Sequence, residues 1–324
     1  MVVTFGEALV DMIEQDDGRF AAILGGSVCN FTIAVARQGL PTRYLNPLSA
    51  DSFGLRFARQ LGDAQVQRLS THASAKPTSL AVVTLDANKV PTYAFHRAAV
   101  ADRDISPAQA CALLPDGMVL FQTGCLMLVP EDLDGTLQVM RAASGAGAVV
   151  SVDANMRPKV CPDLGAYAAG VRAALAEAHL VKVSEEDLLH LGYGEAATDP
   201  VAAARHLFAA PSVMLVALTL GDQGAMLLTR DAAVGYGTPR GVVVVDTVGA
   251  GDCFLAGLVT SLQQAGKLTL AGLAALDEAT LEQALRRAIA TATLNVMRQG
   301  CNPPTGAEVA QFLASDAAQL PAIA

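Results

Sequence analysis

Gly249-Ala250-Gly251-Asp252 is the stretch of this chain whose residue types most directly suggest chemistry. The glycines let the backbone turn tightly and approach a ligand without a Cβ in the way. The first N–H groups of a following helix have no intrahelical partner, and with the helix dipole they form an anion site. A carboxylate beside such a site suits phosphoryl transfer to a hydroxyl. Asp252 would take the hydroxyl proton while the amides of Gly249, Ala250 and Gly251 hold the charge developing on the phosphate.

Apolar runs on both sides predict the elements that hold this turn. Residues 242–245 are four consecutive valines, a pattern typical of a strand buried on both faces. Residues 253–259 are apolar and predict a buried helix. Aspartate is also a favoured helix N-cap, so Gly-x-Gly-Asp alone fits an ordinary capped helix as well as a catalytic turn.

Polar residues near the start of the chain form a second candidate group. Asp11 follows an apolar strand predicted over residues 2–5, where a carboxylate accepts sugar hydroxyls or simply occupies a surface turn. Gly25 and Gly26 precede an apolar helix, and Asn30 lies in its first turns. By themselves these residues fit a capped helix as well as a binding site.

Alternating strand and helix patterns predict the fold class. Such alternation is typical of βαβ units and a parallel sheet. We therefore predict an α/β fold in which a mostly parallel, twisted sheet carries helices on both faces. The predicted strands cover residues 118–122, 149–153, 180–183 and 213–219, and the helices cover residues 131–144, 167–177 and 201–209.

Two short hairpins precede this alternation. Residues 79–85 and 92–96 have strand patterns around a turn at residues 86–88, and residues 16–18 form a turn near the N-terminus. Such hairpins suit a small β lid, and Arg97 leaves the second one either toward a site or as a surface charge. We expect a single domain of residues 1–324, whose lid comes from about residues 11–24 and 72–102.

Composition disfavours several classes of protein. The chain has 324 residues, 52% of them hydrophobic, which is ample for a large core. The formal net charge is −9 and no lysine and arginine run occurs, which argues against nucleic acid as the main partner. The first residues lack a basic region, and no clean apolar run of about 18 residues occurs. We therefore expect neither a signal peptide nor a membrane partner.

Cysteine usage points to a reducing compartment. The six cysteines form no Cys-x-x-Cys pair, and several lie inside apolar patterns. Buried free thiols in the cytoplasm are therefore expected, with neither disulfides nor a cysteine metal site. The cysteines are Cys29, Cys111, Cys125, Cys161, Cys253 and Cys301.

Longer motifs around the candidate residues resemble those of one enzyme family. Asp246-Thr-x-Gly-Ala-Gly-Asp252-x-Phe-x-Ala-Gly257 is similar to the C-terminal signature of the ribokinase-like (pfkB-type) carbohydrate kinases. Gly25-Gly26-x-x-x-Asn30 resembles their N-terminal signature. The resemblance runs from residue 5 to residue 305. It implies the ribokinase-like three-layer fold with a small β-sheet lid, and ATP-dependent phosphorylation of a sugar with Asp252 as general base.

Within that family, several segments look most like those of bacterial fructokinase. Phe95-His96-Arg97 resembles a segment whose arginine faces the sugar, and Asp153-Ala-Asn155-Met-Arg157-Pro resembles one shared with ketodeoxygluconate kinases. Arg157 would hold the transferring phosphate or a sugar oxygen through its donor fork, unless it pairs with Asp153. The residues implied for sugar binding are Asp11, Gly25, Gly26, Asn30, Arg97, Asn155 and Arg157.

The resemblance also implies nucleotide and ion sites. Thr219-Leu-Gly221-x-x-Gly224 is similar to a turn that the family places beside the nucleotide, and Ser184-Glu-Glu-Asp187 resembles an Asn-x-x-Glu motif that supports Mg²⁺ through water. Ile289 stands where the family has an asparagine on its adenine-side helix. The implied nucleotide residues are Ser184, Thr219, Gly221, Gly224, Gly249 and Gly251; those for Mg²⁺ are Glu186 and Asp187; those for K⁺ are Asp246, Val248 and Gly300.

The combined prediction is an ATP- and Mg²⁺-dependent kinase that converts fructose to fructose 6-phosphate. We also expect a homodimer joined through the β lid. A ketodeoxygluconate kinase or another ribokinase-like sugar kinase remains open as an alternative enzyme, and a catalytically silent sugar sensor as an alternative binding protein. A dehydrogenase is disfavoured because Gly249-Ala-Gly251 lacks the third glycine of a dinucleotide motif and lies far down the chain. No P-loop Gly-Lys-Ser/Thr sequence occurs.

Overall fold

The computed structural model describes residues 1–15, 17–85, 91–315 and 319–323. Of the predicted turns, residue 16 and residues 86–88 lie outside these ranges. The strands in chain order are β1 (Val2–Thr4), β2 (Leu9–Glu14), β3 (Phe20–Gly25), β4 (Thr42–Tyr44), β5 (Gln67–Arg68), β6 (Ser79–Leu85), β7 (Pro91–His96), β8 (Leu120–Gly124), β9 (Val149–Asp153), β10 (Leu180–Ser184), β11 (Leu215–Thr219), β12 (Ala225–Leu228) and β13 (Ala233–Tyr236). The α-helices are α1 (Ser27–Arg37), α2 (Ser52–Asp63), α3 (Pro107–Ala112), α4 (Pro130–Gly145), α5 (Leu164–Ala176), α6 (Glu185–His190), α7 (Pro200–Arg205), α8 (Ala250–Gln264), α9 (Leu270–Ala274), α10 (Glu278–Val296) and α11 (Gly306–Leu313).

The large sheet confirms the predicted α/β class. Its strand order is β13-β12-β11-β10-β9-β8-β1-β4-β5, and neighbouring strands from β11 to β5 run parallel. Strands β12 and β13 add an antiparallel edge. Because parallel strands end at one side of a sheet, the carboxyl ends of β9, β10 and β11 lie next to one another there. In register, Asp153 faces Lys182, and Ser184 faces Thr219.

Two hydrophobic cores cover the two faces of this sheet. Successive residues of β9 point to opposite sides, so Val149 joins one core and Val150 joins the other. The first core includes residues of α4, α5, α6 and α7, and the second includes residues of α1, α8, α9 and α10. This arrangement confirms the three-layer prediction.

A second, smaller sheet accounts for the predicted lid strands. Its order is β3-β2-β6-β7, with β2 and β6 parallel and the outer pairs antiparallel. Both hairpins predicted from the sequence therefore pair with each other. Arg97 follows β7 directly, so it lies where the small sheet returns to the main body.

The valine run is where the fold departs from the sequence prediction. Residues 242–245 form no strand; Val243 is 72% exposed, and Val244 and Val245 are also exposed. The amide of Val245 donates to the carbonyl of Val296, at the end of α10 (N···O 2.8 Å), and does not pair with a sheet strand. The prediction of a buried strand was wrong because a run of β-branched residues also suits an extended surface segment, and periodicity does not separate the two.

The helices beyond the turn agree with the sequence. The apolar helix predicted over residues 253–259 is part of α8, and the short α9 and the long α10, which carries Ile289, follow it. Ile289 of α10 is buried in the second core. Among the helices in the described ranges, none combines the length and apolar composition needed to cross a bilayer.

Glu7 is an acid enclosed completely by the fold. It follows β1 and is 0% exposed, and neither carboxylate oxygen accepts a hydrogen bond of good geometry from a described residue. Burial raises the pKa of Glu7 to about 7, although the charge of Arg97 and the nearby amide of Val28 oppose that rise. Below this pH, Glu7 is therefore a neutral acid inside the protein.

This burial predicts a pH-dependent effect of Glu7→Gln on stability. Between its ordinary pKa of 4.5 and about 7, the folded state holds a proton that the unfolded state has lost, so wild-type stability falls as pH rises through that window. We expect Glu7→Gln to gain roughly 1–3 kcal/mol in free energy of unfolding, relative to wild type, between pH 5 and pH 8. Denaturant unfolding at both pH values measures this. The exposed control Glu131→Gln should show no such change, and an equal effect of Glu7→Gln at both pH values contradicts the expectation.

Candidate active site

Asp252 lies where the N-termini of two helices meet. It is in the first turn of α8 and is 5% exposed. Ser27, the first residue of α1, donates to Asp252 Oδ1 (Oγ···O 2.6 Å), and Asn30 donates to Oδ2 (Nδ2···O 2.9 Å). Each carboxylate oxygen therefore has a donor from α1, while the backbone of α8 carries the residue.

Glycine is required at both helix starts. Gly249 has φ 74°, and a Cβ there would come within 2.3 Å of Cys301 Sγ. Gly26 has φ 102°, and a Cβ there would lie 2.6 Å from the carbonyl oxygen of Glu7. Both positive φ values and both close approaches exclude larger residues without strain. The motif glycines thus let the two helices begin beside each other.

The amides of the glycine turn differ in availability. The Ala250 amide donates to the carbonyl of Thr247 (N···O 3.2 Å), so it does not point freely outward as the sequence predicted. The hydrogen bond within the turn therefore occupies the Ala250 amide. The amides of Gly249, Gly251 and Asp252 have no acceptor among the described residues. An anion site at this turn would therefore use these three donors.

Lys182 is a neighbour of the turn that sequence reasoning missed. Its ammonium lies 3.1 Å from Asp153 Oδ1 on the adjacent strand, and both side chains are buried. A Cβ built on Gly251 would lie 2.9 Å from Lys182 Nζ, so the positive charge sits directly against the turn. The available signal was a single lysine inside an otherwise apolar parallel strand, since a buried charge needs a partner.

Asn155 and Ser27 extend the hydrogen bonding around Asp252. Asn155 follows β9 with φ 35°, and it donates to Ser27 Oγ (Nδ2···O 2.7 Å). The Ser27 hydroxyl in turn donates to Asp252, so the three residues form a chain of hydrogen bonds. Ser27 occupies a variable position of the glycine motif, which is why the motif gave no signal for it.

Asp11 and Arg157 add opposite charges to the same region. A Cβ on Gly25 would lie 2.7 Å from Asp11 Oδ2, so the carboxylate covers that glycine. Burial raises the pKa of Asp11 to about 6, and Arg157 opposes the rise. No described residue donates a hydrogen bond to the side-chain carboxylate of Asp11, whereas Arg157 donates from Nη1 to the carbonyl of Met156 (3.0 Å).

Arg97 lies apart from this group. It is 6% exposed, and its Nη1 donates to the carbonyl of Leu126 (3.1 Å). Its guanidinium also approaches Asp132 (3.5 Å) and Asp102 (3.7 Å). Arg97 is therefore not a surface charge, and it pairs with buried acids where the small sheet joins the main body.

The predicted nucleotide residues gather at the ends of β10 and β11. Ser184 and Thr219 are neighbours in register, and Gly221 has φ 57° in the turn that follows. Gly224 has φ 116°, and a Cβ there would lie 2.1 Å from the carbonyl oxygen of Tyr236. This turn therefore needs glycine to let β12 and β13 pair closely.

Asp187 and Glu186, predicted to support Mg²⁺, have different environments. Asp187 is buried; its Oδ1 accepts from the Met156 amide (2.7 Å), and its Oδ2 accepts from the Ser184 amide and hydroxyl (both 2.8 Å). Glu186 is exposed. Asp187 thus ties the start of α6 to the loop carrying Asn155. Among the described residues, no cluster of three metal-ligating His, Cys, Asp or Glu side chains forms.

The residues predicted for K⁺ are brought together before the turn. Asp246 accepts from the amides of Val248 (N···Oδ1 3.0 Å) and Gly300 (N···Oδ2 2.9 Å). The Val248 carbonyl accepts from Asn295 Nδ2 (2.8 Å). Asp246 thereby fixes the loop after α10 to the segment that leads into α8.

A family profile, the pfkB family carbohydrate kinases, matches residues 1–307 of this chain. The chain belongs to this family. The fructokinase of Rhizobium leguminosarum bv. trifolii is 34% identical over 285 residues, which cover 87% of this chain and 85% of that protein. The family match over residues 1–307 includes both glycine motifs that form the site.

Solved structures of fructokinases share the fold of this pfkB kinase. The Xylella fastidiosa fructokinase with bound ATP superposes with a TM-score of 0.80 at 28% identity, covering 96% of this chain and 98% of that one. The Vibrio cholerae O395 fructokinase with fructose, ADP and calcium ion gives a TM-score of 0.77 at 25% identity, with coverage of 96% and 98%.

The electrostatics of Asp252 suit a base in this kinase. Burial raises the pKa of Asp252 above its ordinary value. The hydrogen bonds from Ser27 and Asn30, and then the charges of Lys182 and Arg157, oppose that rise. A carboxylate with a raised pKa is a stronger proton acceptor, and the donors and cations favour its ionised form.

Lys182→Met tests this balance. Removing a charge that favours ionised Asp252 should raise its pKa further, so the acidic limb of the kcat/KM profile should move up by about one pH unit. Sugar-dependent ADP release, measured across pH, gives the profile. Lys76→Met, which breaks an exposed pair with Asp104, is the control. An acidic limb unchanged in Lys182→Met would show that the ammonium does not act on the base.

Proposed function

We propose that this protein transfers the γ-phosphoryl group of ATP to the 6-hydroxyl of fructose. The observation that carries the proposal is buried Asp252, held by Ser27 and Asn30 at the meeting point of two helix N-termini. We take fructose as the proposed sugar because this chain is 34% identical to a fructokinase. An aspartate placed beside open amides fits a reaction that removes a proton and develops charge on phosphate.

Proton transfer is assigned to Asp252. Each of its oxygens accepts one hydrogen bond from α1, which leaves a lone pair free for the sugar hydroxyl. As the hydroxyl oxygen forms its bond to the γ-phosphorus, the bond to the bridging oxygen of ATP breaks and ADP leaves. The hydroxyl proton goes to Asp252.

We assign the stabilisation of the charge on the transferring phosphate to the glycine turn and to Lys182. The amides of Gly249, Gly251 and Asp252 are open donors, and the ammonium of Lys182 lies against Gly251. Fixed donors of this kind stabilise a transition state without reorganisation during the reaction. The buried partner Asp153 keeps the ammonium in place.

Mg²⁺ would neutralise the phosphate oxygens of ATP. Glu186 and Asp187 are proposed to hold it through water. Glu186 is exposed, and Asp187 Oδ1 accepts one described bond, so it has capacity for another. A K⁺ ion is proposed at Asp246, Val248 and Gly300 on the strength of their shared hydrogen bonds.

The sugar is proposed to lie against Asp11, Asn155 and Arg157, in front of Asp252. Asp11 has no described donor, so a sugar hydroxyl can supply one. Gly25 and Gly26 leave room beside it. A sugar acid would bring its carboxylate near Asp11, which disfavours ketodeoxygluconate relative to neutral fructose.

The nucleotide is proposed to lie along Ser184, Thr219, Gly221 and Gly224. The exposed valines of residues 243–245 supply an apolar surface beside the turn, which suits a purine base better than buried Ile289 does. ATP would then run from this surface to the amides of Gly249 and Gly251.

A homodimer through the small sheet and a cytoplasmic location complete the proposal. Phe20 and Tyr93 are 42% and 44% exposed on this sheet, and exposed aromatic residues favour an interface. All six cysteines are free thiols, and four are buried, which suits a reducing compartment.

Asp252→Asn tests the general base. Asparagine keeps the shape of the side chain, but its amide does not act as a base for the hydroxyl proton. We therefore expect kcat to fall by about 10²–10⁴-fold with little change in the sugar KM. Steady-state ADP release measures both constants. Asp134→Asn, at an exposed position of α4, should behave as wild type. A variant of Asp252 that keeps more than half of the wild-type kcat would remove Asp252 from this role.

A sugar panel tests the substrate. We expect kcat/KM for fructose to exceed that for ketodeoxygluconate by at least about tenfold, equivalent to about 1.4 kcal/mol of differential transition-state binding. ADP release with ATP and each sugar measures it. The reverse preference would make the protein a ketodeoxygluconate kinase. If the protein binds a sugar but releases no ADP with any sugar of the panel, it is a sensor.

A further inference from the structure

An open cleft of about 570 Å³ lies at the ends of α1 and α8 that are remote from Asp252. Arg37 and Gln38 from the end of α1, Gln264 from the end of α8 and Arg287 from α10 line it, together with the start of α11. The rise of an α-helix places Gln264 about 20 Å from the turn at which α8 begins. The cleft is therefore separate from the candidate active site.

Arg287 is a buried cation without an acidic partner. It is 9% exposed, and the one described hydrogen bond of its side chain runs from Nε to Gln38 Oε1 (3.1 Å). No described carboxylate forms an ion pair with it, and burial alone lowers the pKa of Arg287. Because an unpaired buried charge is destabilising, such a residue is expected to have a counter-ion.

Gln38 holds a second unused donor, which is enclosed in the wall of the same cleft. It is 6% exposed, and its Nε2 has no hydrogen-bond partner among the described residues. The bond from Arg287 fixes its Oε1 as the acceptor, so the amide nitrogen is the free end. Arg37 adds a second guanidinium, which donates from Nη1 to Asn302 Oδ1 (3.1 Å) and keeps its other donors.

The start of α11 points its dipole at the cleft. The amides of Gly306 and Ala307 have no acceptor among the described residues, and both residues line the cleft. Glu308 is the acid of this turn, but its carboxylate accepts from Thr305 and pairs with Arg298. This carboxylate is thus occupied by other partners.

The C-termini of α1 and α8 oppose the binding of an anion in this cleft. The ends of α1 and α8 bring partial negative charge, although chain amides satisfy part of each end: the Gln38 amide donates to the Val35 carbonyl, and the Ala265 amide donates to the Ser261 carbonyl. The two full positive charges of Arg37 and Arg287 and the two open amides of α11 outweigh these partial charges. Among the described residues that line the cleft, none is acidic.

We propose that this cleft binds a phosphate-type oxyanion, either inorganic phosphate or the phosphate of a small monoester. Guanidinium groups and helix-start amides are the donors that recognise such oxygens. The volume falls within the range of roughly 300–1,000 Å³ that is usual for small-molecule sites, so a monoester fits as well as the bare ion. The proposal does not depend on which sugar the kinase phosphorylates.

Calorimetric titration of the full chain with inorganic phosphate, and separately with glycerol 3-phosphate, tests the proposal. We expect Arg287→Gln and Arg37→Gln each to weaken binding by at least about tenfold. Arg286→Gln is the matched control, because it removes the same charge from the preceding residue of α10, where Arg286 stacks over Tyr236. Tighter binding of glycerol 3-phosphate would identify a monoester as the ligand, and equal or weaker binding would identify the free ion.

Thermal unfolding gives an independent readout. In phosphate-free buffer, Arg287→Met should raise Tm above wild type, because it removes an unpaired buried charge. Phosphate should raise the Tm of wild type and Arg286→Gln, and should raise that of Arg287→Met less. If Arg287→Gln fails to fold, Gln38→Leu replaces it in the titration. The proposal is overturned if these cleft variants bind phosphate as wild type does, or if wild type binds neither probe up to about 10 mM.

Discussion

The site depends on one constraint: two helices must begin at the same carboxylate. Asp252 belongs to α8, yet its two oxygens are held by Ser27 and Asn30 of α1. This is possible only where both helix starts have positive φ, which Gly26 and Gly249 supply. The converging dipoles favour negative charge there. In the proposed reaction they would therefore favour both the ionised form of Asp252 and the phosphate beside it, two groups that would otherwise repel each other.

Buried charges surround this meeting point on several sides. Lys182 and Asp153 form a pair beneath the turn, and Glu7 and Arg97 lie under the small sheet. Such groups contribute little to stability when compared with apolar residues of the same volume. They do fix the positions of the loops that carry the site, as Asp187 does by accepting from both the Met156 amide and Ser184. Natural proteins commonly tolerate this local conflict at functional sites.

The same helices connect two regions of opposite character. At one end of α1 and α8 lie the glycine turns and Asp252, and at the other lies the cleft with Arg287 and Gln38. The helices are packed into the second core along their length, so they form rigid elements between the two regions. A ligand at the far cleft would therefore contact the same elements that position the base.

Much of the fold and part of the site followed from the sequence alone. Local signals were sufficient where the chemistry is contiguous: the strand–helix alternation, and the glycine motifs that start α1 and α8. Only the tertiary structure decided what depends on distant segments. It joined Ser27 to Asp252 across 225 positions, placed Lys182 beneath Gly251, and turned Arg97 toward Asp102 and Asp132. The tertiary structure also leaves residues 243–245 exposed to solvent. An apolar run shows the composition of a segment, whereas its burial depends on which other segments pack against it.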